Sequence, residues 1–323
     1  MRALPAILAA LAATALAGAP SPPEQPKAGP GGADYRHARV VKHAFGQGVG
    51  QVWVFEPGEP RPETAPVVVF NHGWMALAPQ VYRAWIDHLV RRGNIVVYPR
   101  YQDGPLTMPW TFLRNAVGAV KHALAQIEGE GHVRPDRERF AIVGHSAGGA
   151  LSADMAAVAA KEGLPKPRAV MVVQPGRGMR GRRSRFFPAA DLSKIPADTL
   201  VLVVVGEDDR VVGDGEGKAI FAAIAHLPAE NRDFVVVRTD RHGAPPLVAD
   251  HLSPCCPAGG RGRRQVTDAI DFYAYWRLFD ALTDAAFHGR NRDVALGNTA
   301  AQRSMGTWSD GTPVKELVVT DAP

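Results

Sequence analysis

Short runs of almost uninterrupted apolar residues recur along the chain at 67–70, 94–98, 140–143, 169–173, 200–205 and 234–237. A strand with one wet face alternates apolar and polar side chains, so a continuous run requires cover on both faces. Between these runs the apolar residues take helical spacing: at 81–92 (Trp85, Leu89, Val90), at 112–127 (Ala116, Val120, Leu124), and again at 150–161, 218–227 and 268–287. Strands that alternate with helices predict an α/β fold, a mainly parallel central sheet with helices on both faces. Two earlier runs, 37–45 and 51–55, bring the expected sheet to about eight strands. The crossovers are short, which predicts one domain over 35–290. The weakly periodic tail, 291–323, is expected to pack on its surface.

Before that domain the chain has a different character. Residues 3–16 are apolar and uncharged after Arg2, and Ala15-Leu16-Ala17 and Ala17-Gly18-Ala19 offer small-x-small cleavage sites. This predicts a secretory signal peptide over 1–19 and a secreted or periplasmic protein, with a short N-terminal anchor as the alternative. Residues 20–34, rich in Pro, Gly and Ala, are expected to form a flexible leader. No other run approaches the ~18 residues that a membrane span needs.

Composition sets further bounds. The net charge of +5, from 37 basic and 32 acidic residues among 323, does not demand a nucleic-acid partner. Five arginines (Arg177, Arg180, Arg182, Arg183, Arg185) fall between 174 and 191 with no acid among them. They form either a collar that attracts anionic substrates or a solvated loop. The two cysteines, Cys255 and Cys256, are adjacent, so they cannot staple distant parts of the chain. Two cysteines also exclude four-cysteine and Cys2His2 metal sites. With His251 they make a weak ligand set, which leaves a vicinal disulfide or two free thiols and no expected metal.

The segment 142–149 reads Ile-Val-Gly-His-Ser-Ala-Gly-Gly. It places Gly-x-Ser-x-Gly between a buried strand and an Ala-rich helix, the context of a nucleophile elbow. Tight turning demands small residues at 144 and 148. Ser146 is then exposed above the sheet edge, with helix N–H groups aimed where an oxyanion would form. His145 is expected to pack beside the site, not to act as its base. Upstream, the strand at 67–70 runs into Asn71-His72-Gly73-Trp74. Trp74 and Ala147 are the expected backbone donors of an oxyanion hole, with His72 bracing the loop.

On His72-Gly73-Trp74, the 144–149 elbow and a late Asp and His, the chain resembles the α/β-hydrolase superfamily. The resemblance covers nearly all of the mature chain and is closest to the dienelactone-hydrolase and bacterial polyester-hydrolase branches, which lack a large cap. It implies a catalytic acid and base following the serine in that order. Asp209 fits the acid slot in Gly206-Glu207-Asp208-Asp209; Asp208, one residue off, and Glu207 are the alternatives. His242, directly after the strand at 234–237, is the expected base, with His251 as the alternative. Trp74 and Phe186 are the expected substrate contacts, and Trp110 and Phe187 could add to the pocket wall.

Together these features predict a serine hydrolase of small or polymeric carboxylic esters, working through Ser146, His242 and Asp209 without cofactor or metal. A serine peptidase or amidase and a non-catalytic binding protein are the alternatives. A serine at 146 argues against dehalogenases and epoxide hydrolases of this fold, which use Asp there. The glycine-rich elbow lacks the Lys-Ser/Thr ending of a phosphate loop.

Overall fold

The structure, a computed structural model, describes residues 18–178, 184–257 and 266–323. Its strands are β1 (Arg39–Phe45), β2 (Val52–Gly58), β3 (Thr64–Asn71), β4 (Ile95–Pro99), β5 (Arg134–His145), β6 (Pro167–Val173), β7 (Leu200–Gly206), β8 (Arg232–Val237) and β9 (Val318–Thr320). They form one sheet in the order β1-β2-β4-β3-β5-β6-β7-β8-β9. β3 to β8 run parallel, while β1, β2 and β9 pair antiparallel with their neighbours. The last strand was not visible as an apolar run because it is only three residues long. It comes from the tail and lies along β8, covering what would otherwise be an open sheet edge.

The apolar runs are continuous because successive side chains enter different cores. Val67, Val69, Ile95, Val97, Phe140 and Ile142 pack on one face, under α2 (Phe112–Gln126), α3 (Ala147–Glu162) and α4 (Gly215–Ala223). Val68, Phe70, Val96, Tyr98, Ala141 and Val143 pack on the other, under α1 (Arg83–Arg91), α5 (Arg277–His288) and the tail. Burying each such side chain contributes about 1.5–3 kcal/mol. A π-helical turn, Asp271–Trp276, leads directly into α5. Among the described residues no helix is long and apolar enough to cross a membrane.

The expectation of a flexible leader over 20–34 is corrected. This segment lies on the domain and its polar backbone groups are paired. Ala244 N–H donates to Pro20 O (2.8 Å), Ser309 N–H to Ser21 O (3.0 Å) and Tyr273 Oη–H to Glu24 O (3.2 Å). Its prolines restrict the unfolded chain, so less entropy is lost on docking. Of the expected signal peptide, residues 1–17 lie outside the described residues. The 291–323 tail buries Trp308, Val314 and Leu317 against the second core.

One buried carboxylate ties leader, α1 and α5 together. Asp280 Oδ2 accepts from Gly31 N–H (2.8 Å), His88 Nε2 (2.8 Å) and Arg92 Nε (3.1 Å). Burial alone would raise its pKa. His88 and Arg92, together with the Gly31 N–H, more than reverse that and hold it below the usual value. A carboxyl depressed in the folded state stabilises fully above its unfolded pKa of ~3.9, and that contribution is lost as pH falls through the folded value. Asp280→Ala should cost about 3–5 kcal/mol in urea unfolding at pH 7, because it strands a buried cation. The gap to wild type should narrow in the acid range. Equal unfolding midpoints at pH 7 would show that this carboxylate does not hold the three elements together.

Candidate active site

The parallel strands β3, β5, β6, β7 and β8 deliver their C-terminal ends to one sheet edge, where the candidate residues converge. Ser146 sits between β5 and α3 with φ 58° and ψ −123°, a strained conformation that turns its side chain out of the sheet. The turn excludes side chains on either side of it. A Cβ on Gly144 would stand 2.3 Å from Gly148 O, and one on Gly148 would stand 2.1 Å from Asn71 O.

Ser146 does not meet the expected histidine. Its Oγ–H donates to Nε2 of His251 (3.0 Å), and His251 Nδ1–H donates to Asp209 Oδ2 (2.7 Å). Ser146, His251 and Asp209 are each only 8% exposed, so the arrangement is shielded from water. His242 lies elsewhere: its Nε2 bonds Asp310 Oδ2 (2.8 Å) and its ring packs on Trp308 of the tail. The placement of His242 at this site is therefore corrected to His251.

The physical reason is the path of the chain. Asp240 and Leu247 exchange both backbone hydrogen bonds (2.8 and 2.9 Å), so residues 241–246 leave and return as a closed excursion. Asp208 N–H then donates to Ala249 O (3.1 Å), and Gln174 Nε2 donates to Asp250 O (2.8 Å). These bonds lay His251 beside the end of β7. The Pro-Pro sequence at 245–246 suggested a detour away from the site; the return of the chain is a tertiary feature.

Asp209 Oδ1 accepts from the N–H groups of Val211 (2.9 Å) and Val212 (3.0 Å). Burial works to raise its pKa, but the bond and charge of His251 and these two N–H groups hold it below the usual carboxylate value. Asp208 points away and accepts from Thr239 and Arg241. Glu207 caps Thr239 N–H.

On the other side of Ser146, Gly73 N–H donates to Tyr82 Oη (3.0 Å), and Tyr82 Oη–H donates to His145 Nδ1 (2.9 Å). Burial, aided by the nearby His251, pushes the His145 pKa down to about 3. His145 therefore stays neutral beside His251 and adds no opposing charge. His72 is also buried, which lowers its pKa to about 4; it stacks on Tyr101 at 4.1 Å and donates from Nδ1 to Gly73 O (2.7 Å). Met75 N–H is taken by Gln102 (2.9 Å), whereas the N–H groups of Trp74 and Ala147 have no acceptor among the described residues.

A cavity of about 700 Å³ opens at Ser146. Trp74, Met75, Val81, Phe187, Val212 and Leu252 give it a largely apolar wall. Trp74 lines it, as the sequence suggests. Phe186 does not: it lies half exposed against Trp110, and its neighbour Phe187 faces the cavity instead. Cys255 also reaches the wall. Both cysteines are free and buried, and burial pushes the Cys255 thiol up to about 12, so it is no nucleophile at neutral pH. Tyr82 and Gln174 were not singled out from sequence, because nothing in their local pattern distinguishes them from core residues.

The arginine collar is corrected at Arg177. Its guanidinium is buried and forks onto both oxygens of Asp154 (2.7 Å each), with Nε on Glu216 (2.8 Å). It also donates to Pro188 O (2.9 Å), which anchors the loop that carries Phe187. Arg185 covers the Phe186 ring. Arg180, Arg182 and Arg183 lie outside the described residues.

A family model described as the alpha/beta hydrolase fold matches residues 68–210, the stretch from β3 through the elbow to Asp209. A search of curated proteins finds no match. His251 lies beyond the matched stretch, on the part of the chain that the sheet order and the hydrogen bonds above bring back to it. With its mainly parallel sheet, its strained serine turn and this matched segment, the chain has the α/β-hydrolase fold.

Proposed function

We propose that the protein is an exported serine hydrolase of carboxylic esters, with Ser146 as nucleophile, His251 as base and Asp209 as the acid that orients it. The observation that carries this reading is the unbroken pair of hydrogen bonds from Ser146 through His251 to Asp209. Ser146 Oγ attacks the ester carbonyl as His251 Nε2 takes its proton. The carbonyl electron pair moves onto oxygen, facing the Trp74 and Ala147 N–H groups. As the intermediate collapses, the bond to the alcohol breaks and His251 returns the proton to that leaving group. Water then attacks the acyl-serine, gives its proton to His251, and Ser146 departs with that proton restored. Asp209, ionised at neutral pH, stabilises the imidazolium formed in each half. The apolar wall of the cavity favours an acyl or aryl group beside the carbonyl.

Export rests on the apolar run at 3–16 and the small-residue sites after it. If cleavage follows Ala17 or Ala19, N-terminal sequencing of the exported protein should begin at Gly18 or Pro20. Recovery of Met1 in the exported fraction would make the run an anchor.

The chemistry is tested with a panel of p-nitrophenyl esters and matched anilides. Ser146→Ala and His251→Ala should each lower turnover by ~10⁴–10⁶-fold, and the double variant should lose little more. Asp209→Asn should lose ~10⁴-fold, since it no longer holds the required tautomer. His242→Ala should keep near-normal turnover. An organophosphonate should label wild type at Ser146 and leave Ser146→Ala unlabelled. An active His251→Ala, or an inactive but folded His242→Ala, would overturn the assignment of the base. Faster cleavage of the anilides than of the esters would move the protein to the amidases.

A further inference from the structure

At the opposite edge of the sheet from Ser146, three side chains from distant parts of the chain meet. His43 projects from β1, Glu56 from β2, and His132 lies two residues before β5 begins. Their donor atoms all lie within 4.8 Å of one another. We propose that His43, Glu56 and His132 bind a divalent transition-metal cation of the zinc class, which clips β1 and β2 to the loop entering β5.

Two imidazoles and a carboxylate are a donor set that zinc takes readily, with further positions left for water. The carboxylate is built in. Glu56 is 2% exposed, and its Oε2 is oriented by Val133 N–H (3.1 Å) while Oε1 meets His132 Nδ1 (2.7 Å). A metal ligand fixed by a backbone donor is the usual support for such a site.

His43 supplies the second observation. Its Nε2 is buried and has no hydrogen-bond partner, although buried polar atoms nearly always have one. It stands 3.8 Å from Glu56 Oε2, too far for a hydrogen bond and on the side where the cation would lie. Phe45 stacks along the His43 ring (6.3 Å, 11°) and meets the His132 ring edge-on, covering one side of the cluster.

Tetrahedral zinc with bonds near 2.0–2.1 Å sets its donors about 3.3 Å apart. Closing the cluster to that spacing needs a small swing of His43, which is partly exposed and free to make it. Once loaded, His132 ligates through Nδ1 and carries its proton on Nε2. Arg61 is near enough to act on His43 by charge, and it opposes a cation, so micromolar binding is expected, not the far tighter binding of a closed cysteine site. β5 rises about 3.3 Å per residue. The cluster and Ser146 are thus on the order of 30 Å apart, and the cation would act on stability and not on the reaction.

The test uses the untagged, chelator-stripped protein, titrated calorimetrically with ZnCl2 at pH 7.5, with thermal unfolding followed with and without zinc. Wild type should bind one Zn²⁺ with a Kd on the order of 1 μM, and its midpoint should rise by a few degrees in about 100 μM zinc. His43→Phe keeps the ring stacked on Phe45 and removes the donor. It should unfold near the wild-type midpoint without metal and bind zinc at least tenfold more weakly, with no thermal shift. His132→Gln can still donate to Glu56 and should lose the binding in the same way, while Ser146→Ala should bind as wild type does. No calorimetric binding at about 100 μM zinc would overturn the site, and so would equal affinity in His43→Phe. Either result would leave Glu56 and His132 as a buried hydrogen-bonded pair only.

Discussion

Gly148 lies against the carbonyl groups of Asn71 and His72, so close that a single added carbon would stand 2.1 and 2.3 Å from their oxygens. Two hydrogen bonds fasten the same junction: Asn71 Nδ2 donates to Ser152 Oγ (3.0 Å), and Ser152 Oγ–H donates to Gly148 O (2.7 Å). The first turn of α3 and the loop after β3 are thereby fixed to each other. Those two segments carry the Ala147 and Trp74 N–H groups, and Ser146 stands between them in its strained conformation. The oxyanion hole proposed above would be made of these backbone donors, which rotamers cannot tune. Its accuracy is that of the backbone contact, which explains why the closest packing in the site occurs where no side chain does chemistry.

Charge around the cavity is handled by pairing or by neutrality. Arg177, the buried cation beneath the wall, has two carboxylates on it, Asp154 from α3 and Glu216 from α4. A buried cation with a single poor partner would raise the energy of any positive charge formed nearby. His145 is uncharged at neutral pH because burial disfavours its ionised form, and burial moves Tyr82 and Cys255, neutral there in any case, still further from ionising. The imidazolium that would form on His251 therefore has Asp209 as its immediate charged partner. The pocket can stay apolar without being electrostatically hostile to the one charge separation that the proposed chemistry requires.

How legible these features were depended on the range of the interaction that creates them. Six strands and the main helices could be read because burial on both faces writes itself into consecutive residues, while β1, which is half exposed, and β2 showed as two runs before them. The elbow could be read because its steric demands fall within five positions. Asp209 was recoverable because it fills the slot that the family pattern assigns after this strand. His251 was not, because its place depends on Asp240 and Leu247 pairing across an excursion whose own residues, Gly243-Ala244-Pro245-Pro246, indicate only a turn. Arg177 looked like its four neighbours in the arginine-rich loop, and what marks it as buried is its pair of carboxylate partners on other elements, Asp154 twenty-three positions upstream and Glu216 downstream. The leader shows the reverse error: a disorder-prone composition became ordered because Asp280, near the far end of the chain, accepts its Gly31 N–H.

The cluster of His43, Glu56 and His132 extends the same point to sites with no local signature. In β1 and β2 the register sets His43 opposite Val54 and Glu56 opposite Val41, so the two do not face each other directly across the ladder. They are diagonal neighbours two positions apart on the same face, within reach of long side chains. His132 comes in from the turn before β5, and no spacing in the sequence relates it to either. What selects such a group is chemical oddity after folding: a carboxylate 2% exposed and an imidazole nitrogen buried with no partner. A fold that left the His43 nitrogen idle would bear its desolvation without return. One cation would satisfy the imidazole and share the carboxylate, at the edge of the sheet where β1 is the outermost strand among the described residues.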